Sequence, residues 1–276
     1  MTDRSDNDST FVGSIPQIYD QYLVPLIFEP YAIDLAARVA RLAAANVLEI
    51  AAGTGVVTRR LALELPASVA ITASDLNQPM LDQAAVIGTS RPVSWRQADA
   101  LQLPFADQSF DAIVCQFGAM FFPDKPRAFA ETRRVLKPGG AFIFNVWDCL
   151  ETNDFAMTAT EALAAVFPKD PPRFMARTPH GYHDPGAIRS DLAAGGFAQA
   201  ATIETVGARS RAASARIPAI AYCQGTPLRG EIETRDPAKI DEATTAVESA
   251  LARRFGTAAV DGRIQALVVT VGATRV

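Results

Sequence analysis

The sequence VLEIAAGTGVVTRRL at residues 47–61 decides the fold. An apolar run that contains Glu49 leads into a tight turn with Gly53 and Gly55, and a helical pattern comes next. A strand, a glycine loop and a helix in this order bring backbone N–H groups and the positive end of a helix dipole to a ligand. The glycines let the backbone approach that ligand closely. Because Glu49 lies beside the turn, the loop suits a ligand with an ammonium group better than one with a pyrophosphate.

Strand-like and helix-like patterns alternate on the C-terminal side of this loop. Short apolar runs followed by amphipathic stretches are typical of βαβ units, which build a parallel sheet. We therefore predict an α/β fold with a Rossmann-like, doubly wound, mostly parallel seven-stranded sheet and helical cap insertions. The first strand is predicted to begin at Val47, and the others cover residues 69–74, 93–97, 110–115, 141–147, 199–206 and 263–271. Predicted helices cover residues 31–42, 58–65, 78–87, 127–136, 153–166, 185–194, 216–222 and 237–255, the last capped by Asp236.

Three segments have less regular patterns. Residues 1–10 are polar and are predicted to be a disordered start. Residues 14–23 are predicted to form a short helix or turn, and Pro25 and Pro30 are expected to interrupt the segment after it. Residues 138–140, with the sequence Pro-Gly-Gly, are predicted to be a turn between a helix and a strand.

The composition is that of an ordinary soluble protein of 276 residues, with a formal net charge of -4 and a pI of about 5.3. This charge favours no polyanion, so nucleic acid is not expected as a partner. Cys115, Cys149 and Cys223 have no metal-site spacing and predict neither a metal centre nor a disulfide framework. No signal peptide pattern and no apolar run of ~20 residues occurs, so we expect a cytoplasmic protein without a membrane span.

Acidic side chains come after two successive predicted strands on the C-terminal side of the glycine loop. Asp75 comes roughly 20 residues after Gly55, where an acid can hold both hydroxyls of a ribose. Asp99 comes after the next strand and is placed to accept from an adenine amino group. Gly53, Asp75, Asp99 and Gln116 all lie at or just past strand ends, where ligands bind in doubly wound sheets. The alternative is that Asp75 and Asp99 only cap the turns next to them.

A nicotinamide dinucleotide is the competing ligand for such a loop. Its fingerprint has a third glycine, whereas Gly53 and Gly55 are followed here by Val56, Val57 and Thr58. Glu49 would also repel a pyrophosphate. The sequence therefore places NAD second.

Five blocks of the chain together resemble the class I S-adenosylmethionine-dependent methyltransferases. They are most similar to the subgroup of ubiquinone/menaquinone-biosynthesis methyltransferases. The resemblance is specific from about Val47 to Trp147, where the blocks occur in the family's order. The blocks are residues 47–55, 74–80, 97–105, 110–122 and 133–140.

The resemblance implies S-adenosylmethionine as the cofactor, S-adenosylhomocysteine as the product, and a set of binding residues. The loop from Glu49 to Gly55 would hold the methionine end, and Asp75 would hold the ribose. Ala51 departs from the family, because many members have glycine there, but an added methyl group should still permit binding. The implied cofactor-binding residues of the loop and strand ends are Glu49, Ala51, Gly53, Gly55, Asp75, Leu76, Met80, Asp99, Ala100, Leu101, Gln116 and Phe117.

Aromatic and histidine side chains outside these blocks are further candidates. Tyr19, and less readily Tyr22, can stabilise a sulfonium by cation–π attraction or hydrogen bonding, since the family often folds an N-terminal aromatic segment over the cofactor. The alternative is that both tyrosines only pack the N-terminal helix. His180 and His183 lie in a proline-rich loop over residues 167–185 and are the candidates for a general base. A histidine in a loop is more often an ordinary surface or hydrogen-bonded residue, and that is the alternative for both.

The reaction predicted from the resemblance is methyl transfer to a small molecule by in-line displacement. Aromatic residues in the segments beyond the core favour an apolar or aromatic acceptor, although each of them can equally be an ordinary core residue. They are Phe121, Phe122, Trp147, Phe155, Phe174 and Tyr182. The alternatives are a nicotinamide-dependent oxidoreductase and a non-catalytic protein that binds S-adenosylmethionine. We predict a single methyltransferase domain over residues 1–276, with a lid segment at 1–30, a cofactor-binding core at 31–147, and acceptor-side cap insertions at 148–185 and 207–262.

Overall fold

The computed structural model describes residues 8, 9, 11 and 13–272, and the chain divides into two compact units. Unit 1 is built from residues 1–28, 147–181 and 207–265, and unit 2 from residues 29–146, 182–206 and 266–276.

The three segments of unit 1 begin and end within a few residues of the predicted lid and cap segments, 1–30, 148–185 and 207–262. Their roles as lid and cap, and the organisation as one methyltransferase domain, stay predictions.

Seven strands form one sheet, which confirms the predicted α/β class. They are β1 (Asn46–Ile50), β2 (Ala70–Asp75), β3 (Ser94–Gln97), β4 (Phe110–Gln116), β5 (Leu136–Trp147), β6 (Thr202–Ala212) and β7 (Val260–Gly272).

The strand order is β3-β2-β1-β4-β5-β7-β6. β1 pairs in parallel with both β2 and β4, and the pairs β2–β3 and β4–β5 are parallel too. The chain therefore winds outward in one direction from β1 to β3 and in the other direction from β4. This reversal between β1 and β4 is the place where doubly wound sheets bind their ligands.

Helices α2 to α5 and α8 belong to unit 2, and their ends show local capping chemistry. Asp124 accepts a hydrogen bond from the Arg127 backbone at the start of α5, and Asp184 accepts one from Gly186 at the start of α8. Buried apolar faces then fix these helices on the sheet. Their bounds are α2 (Glu29–Ala40), α3 (Val56–Glu64), α4 (Gln78–Ile87), α5 (Lys125–Val135) and α8 (Pro185–Ala194).

Unit 1 contains most of the remaining helices. α9 packs on α11 and on the N-terminal helical segment, and α6 packs on α11. The helices are α1 (Ile15–Ile18), a π-helix (Tyr19–Phe28), α6 (Asp154–Val166), α7 (Phe174–Arg177), α9 (Arg216–Gln224), α10 (Leu228–Arg235) and α11 (Ile240–Phe255).

The N-terminal segment differs from its prediction. Helical structure continues through Pro25 as wide π-type turns, and Pro30 lies in the first turn of α2. A proline ring collides with the carbonyl four residues earlier in an α-helix, and wider turns avoid that collision. Most of the predicted disordered start lies outside the described residues. Asp8 contradicts that prediction, because it is buried and forms an ion pair with Arg177.

Two further predictions are corrected by the structure. Residues 138–140 are part of β5 rather than a turn, and a register shift lies opposite them between Phe110 and Ala112. A Cβ at Gly140 would lie 2.7 Å from the Asp111 carbonyl oxygen, so glycine allows the two strands to approach there. Helix α10 was not predicted, because its sequence LRGEIETR buries only Leu228 and Ile232.

The helix predicted over residues 237–255 is a short 3-10 turn, Pro237–Lys239, followed by α11. The predicted cap is confirmed, because the Asp236 side chain accepts from the Ala238 backbone. None of the helices in the described part of the chain is long and apolar enough to cross a bilayer.

Candidate functional site

The loop after β1 has an unusual backbone. Ala51, Gly53 and Gly55 all have positive φ angles, of 56°, 56° and 83°. A Cβ at Gly55 would lie 2.9 Å from Trp95 Cη2 and 3.2 Å from Ala84 Cβ, so glycine is required there. Ala51 adopts the left-handed region without being glycine, which costs about 1–2 kcal/mol. The predicted tight turn is present, and it is held in place although it is strained.

Glu49 is fully buried at the end of β1. Its Oε2 atom accepts a hydrogen bond of 2.5 Å from the Thr58 hydroxyl on α3. Burial raises the pKa of Glu49 to about 8, and the negative charge of Asp75 adds to this rise. The hydrogen bond from Thr58 and the positive charge of Arg59 lower the pKa. A carboxyl in this position is neutral or ionised near physiological pH according to what lies beside it.

Asp75 is buried at the end of β2 and holds the glycine loop. Its Oδ2 accepts from the Gly53 backbone N–H at 2.8 Å, and its Oδ1 accepts from the Asn77 backbone N–H at 2.8 Å. Burial raises the pKa of Asp75, and these backbone hydrogen bonds oppose the rise. The capping interpretation is therefore observed. Each carboxylate oxygen can accept a further hydrogen bond, so capping leaves the acceptors that a ribose diol would use.

Glu49 and Asp75 form a buried acidic pair at the point where the strand order reverses. Among the described residues, neither side chain forms an ion pair. Buried acids ordinarily have a cationic partner, because desolvation of an unpaired charge is costly. The pair fits a ligand that carries a positive charge and hydroxyl groups.

The residues after β2 and β3 form the next part of the site. Leu76 is 49% exposed although it is large and apolar, while Met80 beneath it in α4 is buried. The Gln97 side chain donates to the Leu76 carbonyl at 2.9 Å and fixes this turn. Asp99 accepts from the Leu101 backbone N–H at 2.8 Å, so the capping role is observed for Asp99 as well. Buried Ala100 lies between them.

The turn after β4 packs directly on the glycine loop. Gln116 is buried, and Phe117 has a positive φ of 50°, which is strained for a bulky residue. The Asn145 side chain accepts from the Phe117 backbone N–H at 2.9 Å and supports this conformation. A Cβ at Gly118 would lie only 2.4 Å from Ala51 Cβ.

All twelve residues predicted at the loop and strand ends lie in unit 2. Eleven of them lie at the carboxyl ends of β1 to β4 or in the turns after these strands, and Met80 lies in α4. Three supporting residues were not predicted. Thr58 bonds Glu49 from the first turn of α3, Asn77 forms the turn on Asp75, and Asn145 supports Phe117. Polar residues close after a strand end, such as Asn77, have a sequence signal, whereas Asn145 is 28 residues from its partner.

Tyr19 and His180 lie in an aromatic cluster of unit 1. The Tyr19 and Phe28 rings stack at 5.0 Å between centroids, Phe28 lies 6.1 Å from Trp147, and Trp147 lies 6.2 Å from His180. The packing interpretation of Tyr19 is therefore observed. His180 is buried, whereas His183, in unit 2, is exposed.

The His180 ring has a defined tautomer when it is neutral. Its Nδ1 lies 2.8 Å from the Asp148 carbonyl oxygen, which can only accept a hydrogen bond. The proton is therefore on Nδ1, and the lone pair is on Nε2. No group of three or more metal-ligating side chains occurs in the part of the chain that the structure describes.

A family model described as a methyltransferase domain matches residues 48–144. A demethylmenaquinone methyltransferase of Lactiplantibacillus plantarum is 40% identical over 113 residues, which is 40% of this chain and 46% of that protein. A ubiquinone/menaquinone biosynthesis C-methyltransferase of Saccharophagus degradans is 31% identical over 167 residues, 56% of this chain and 67% of that protein. The chain spans about half the length of the first curated relatives it matches.

Solved structures share the fold. The phosphoethanolamine N-methyltransferase 2 of Haemonchus contortus, solved with phosphomonomethylethanolamine and S-adenosylhomocysteine, has a TM-score of 0.60 and 16% sequence identity. The superposition covers 99% of this chain and 61% of that chain. At this identity the likeness concerns the fold alone.

Proposed function

Because this chain belongs to the class I S-adenosylmethionine-dependent methyltransferases, in the ubiquinone/menaquinone-biosynthesis subgroup, we propose that it transfers a methyl group to a small apolar or aromatic molecule. Membership of the family assigns S-adenosylmethionine as the cofactor, and the nicotinamide alternative is not favoured. The reaction is proposed to take place in the cytoplasm.

The observation that carries the proposal is the buried acidic pair, Glu49 and Asp75. S-adenosylmethionine has an ammonium group, a sulfonium and a ribose diol. A neutralising cation beside Glu49 would lower the pKa of this carboxyl and replace its costly isolation with an ion pair. Asp75 would accept hydrogen bonds from the diol while it still holds Gly53 and Asn77.

We assign the remaining proposed roles to residues at and after the strand ends. The loop with Ala51, Gly53 and Gly55 would hold the methionine end through its backbone. Exposed Leu76 and buried Met80 would contact the adenosine, and Asp99, with Ala100 and Leu101, would face the adenine. Gln116 and Phe117 would approach the methionine portion, and the role of Tyr19 toward the sulfonium stays a prediction.

The chemistry of the transfer requires mainly orientation. Bound S-adenosylmethionine supplies an electrophilic methyl group, and the chain must hold an acceptor atom in line with the sulfur–methyl bond. The acceptor must lose one proton when the new bond forms. His180 and His183 remain the candidates for a general base that accepts this proton. In neutral His180 the lone pair is on Nε2.

We infer the class of the acceptor from the substrates that appear in the relatives' names. Those names are demethylmenaquinone methyltransferase and ubiquinone/menaquinone biosynthesis C-methyltransferase. A quinone precursor is an apolar ring that carries oxygen, which agrees with the aromatic cluster of unit 1. A reduced 1,4-naphthoquinone is therefore the first acceptor to test.

Calorimetric titration of the purified protein with S-adenosylhomocysteine, S-adenosylmethionine and NAD tests the proposal. We expect both sulfur compounds to bind and NAD not to bind. Asp75→Ala should weaken the binding of S-adenosylhomocysteine by roughly 100-fold, since two hydrogen bonds to a charged group are lost. Asp82→Ala, which removes an exposed acid from α4 in the same unit, should leave the affinity unchanged.

Asp75→Asn distinguishes a loss of cofactor binding from a loss of folding. The amide oxygen of asparagine can still accept a hydrogen bond from the loop backbone, so the variant should fold. Binding of NAD instead of the sulfur compounds would refute the assignment. Binding of S-adenosylmethionine without methyl transfer to any quinol or phenol would favour the non-catalytic alternative.

A further inference from the structure

Asn145 is a buried asparagine whose side-chain nitrogen has no hydrogen-bond partner among the described residues. It lies near the carboxyl end of β5, and its Oδ1 atom accepts from the Phe117 backbone N–H at 2.9 Å. Asn153 is buried too, but both ends of its amide are bonded. Its Nδ2 donates to the Cys149 carbonyl at 3.0 Å, and its Oδ1 accepts from the Gln265 backbone at 3.0 Å.

The side chain of Asn145 is not explained by the stability of the fold. A buried N–H group without an acceptor gives up its hydrogen bonds to water and gains none in return. The Phe117 N–H also has a second partner, because the Asn145 backbone carbonyl accepts from it at 3.2 Å. An apolar residue at position 145 would therefore keep the backbone satisfied without an orphaned amide. What the side chain adds is a shorter bond that fixes the direction of the Phe117 N–H.

The place of Asn145 in the sheet is at the edge where the cofactor is proposed to bind. In a parallel sheet, residues paired in register point to the same face, and so do residues two apart on one strand. Asn145 is paired with Gln116, and Val114, two residues earlier on β4, is paired with Glu49. The side chains of Glu49, Gln116 and Asn145 therefore lie on one face of the sheet, near the carboxyl ends of three neighbouring strands.

The Oδ1 atom of Asn145 holds Phe117 in a conformation that phenylalanine rarely adopts. The φ angle of Phe117 is 50°, in the left-handed region where a bulky side chain is strained. The Phe117 ring packs edge-to-face on Tyr31, with 5.2 Å between the ring centroids, so the side chain is fixed as well. Strain of this kind persists only where neighbouring groups enforce it. Asn145 enforces it through the backbone.

The turn after Phe117 packs on the glycine loop. A Cβ at Gly118 would collide with Ala51 Cβ and would lie 2.7 Å from Cys115 Sγ. Ala51 itself has a positive φ of 56°. Because the two turns are in contact, a change in the Phe117 backbone would move Gly118 relative to Ala51. A continuous chain of contacts thus connects β5 with the loop that is proposed to hold the methionine end.

We propose that Asn145 is a positioning residue for the cofactor. Its Oδ1 atom keeps Phe117 left-handed, and through the contact of Gly118 with Ala51 it keeps the glycine loop in the shape that receives the methionine end of S-adenosylmethionine. The inference rests on the proposed cofactor site and adds a residue on the next strand that controls the affinity of that site. The orphaned amide nitrogen is the cost of this control in the ligand-free protein.

Titration calorimetry with S-adenosylhomocysteine measures the effect on affinity, and circular dichroism checks that each variant folds. Asn145→Ala should weaken binding by about tenfold, because binding must then restore the left-handed conformation of Phe117. Asn145→Asp keeps an oxygen for the Phe117 N–H and should bind within about threefold of the wild type. Thr132→Val, which removes a buried hydrogen bond within α5, should leave the affinity unchanged.

Two results of this titration would overturn the inference. The first is equal affinity in the wild type and Asn145→Ala. The second is a loss in Asn145→Asp as large as the loss in Asn145→Ala, since that would assign the effect to the amide nitrogen instead of the oxygen.

A double-mutant cycle with Phe117→Gly identifies the route of the effect. Glycine adopts a positive φ without strain, so it does not need the bond to Asn145. In the Phe117→Gly background, Asn145→Ala should weaken the binding of S-adenosylhomocysteine by less than about twofold. The same tenfold loss in both backgrounds would mean that Asn145 contacts the ligand directly, and the positioning role would be wrong.

Amide hydrogen exchange tests the coupling without a ligand. The backbone N–H groups of Ala52, Gly53 and Gly55 in the glycine loop are all hydrogen-bonded. They should exchange faster in Asn145→Ala than in the wild type, whereas Thr132→Val should leave their exchange unchanged. Unchanged exchange in Asn145→Ala overturns the inference.

The proposed function fails separately. Absence of S-adenosylhomocysteine binding in the wild type contradicts methyl transfer, while exchange at the glycine loop still decides whether Asn145 controls the backbone of that loop.

Discussion

Unit 1 and unit 2 each contain a pair of protected acids, and among the described residues only the pair in unit 1 forms ion pairs with a basic side chain. In unit 1, Arg177 lies between Asp8 and Glu231, with Nη2 at 2.5 Å from Asp8 Oδ1 and 2.7 Å from Glu231 Oε1. In unit 2, Glu49 and Asp75 are buried together and, among the described residues, form no ion pair. The first pair is ion-paired within the protein, and the second is the pair that we propose binds the cofactor.

The backbone shows the same contrast. The described residues other than glycine that have positive φ are Ala51, Gln108 and Phe117, and all three belong to unit 2. Ala51 and Phe117 lie in the two turns that pack on each other beside Glu49. Strain and unpaired charge persist only where the surrounding structure enforces them, and they concentrate at functional sites. The comparison shows that unit 2 keeps the glycine loop in a strained conformation beside a buried acid, and both features lower its stability.

Removal of the cation in unit 1 should have the largest destabilising effect. Arg177→Met leaves Asp8 and Glu231 protected without a counter-charge. We expect the free energy of unfolding to fall by about 3 kcal/mol, the lower end of the range for a buried pair, because the guanidinium is a third exposed. Urea unfolding followed by circular dichroism measures this change.

Arg38→Met is the matched control for Arg177→Met. Arg38 also pairs with two acids, Asp34 and Glu204, but these are more exposed. Its loss should cost about 1 kcal/mol or less. Equal losses of unfolding free energy for the two variants would show that the buried ion pairs of Arg177 contribute no more than the exposed ion pairs of Arg38.

Removal of the charge in unit 2 should have the opposite sign. The pKa of Glu49 is about 8 in the folded protein, against an ordinary value of 4.5. The folded chain therefore retains a proton that the unfolded chain releases, so stability falls as pH rises from about 4.5 to about 8. Glu49→Gln removes this dependence and should raise the unfolding free energy of the ligand-free protein by about 4 kcal/mol at pH 8, and by only about 1 kcal/mol at pH 5.

Thermal unfolding of Glu49→Gln and the wild type at pH values from 5 to 8.5 checks the sign. Glu64→Gln, which changes an exposed acid at the end of α3, should behave like the wild type. S-adenosylhomocysteine should bind Glu49→Gln more weakly, because the amide has no charge for the ammonium group. A variant that is less stable than the wild type at pH 8 would contradict the interpretation of Glu49 as a destabilising group.

The strained loop should give the smallest effect. Ala51→Gly removes the cost of a left-handed alanine, which is partly offset by the greater freedom of glycine in the unfolded chain. We expect a gain of about 0.5 kcal/mol and cofactor affinity within about threefold of the wild type. Ala52→Gly, at a neighbouring residue without positive φ, should lose stability in the same unfolding experiment. A loss for both variants would show that the Ala51 methyl group on Gly118 outweighs the strain.

Much of unit 2 is predictable from local sequence signals. The run ending at Glu49, the glycines at 53 and 55, and the acid at 75 predict a strand, a tight turn and a strand end, and each is present within a residue or two. Apolar periodicity and chain direction suffice here, because βαβ units connect neighbouring segments with one handedness. The roles of the loop residues toward the cofactor stay predictions.

Unit 1 was predictable only in outline. The helix α10 has too few apolar residues for a periodic signal, and the π-type turns through Pro25 contradict the local preference of proline. Asp8 belongs to a polar stretch that predicts disorder, yet Arg177 and Thr178 bond it from 169 and 170 residues away. No local pattern encodes such a contact.

The sequence by itself determined the fold class, the glycine loop and the acids that end the strands, because these depend on side-chain period, on glycine's backbone freedom and on short connections. Only the tertiary structure decided which polar groups lose water and which of them find partners. Among the described residues it left Glu49 and Asp75 without an ion pair, and it supplied Arg177 to Asp8. Desolvation depends on segments distant in the sequence meeting in space, and one chain position carries no record of the segments that pack against it.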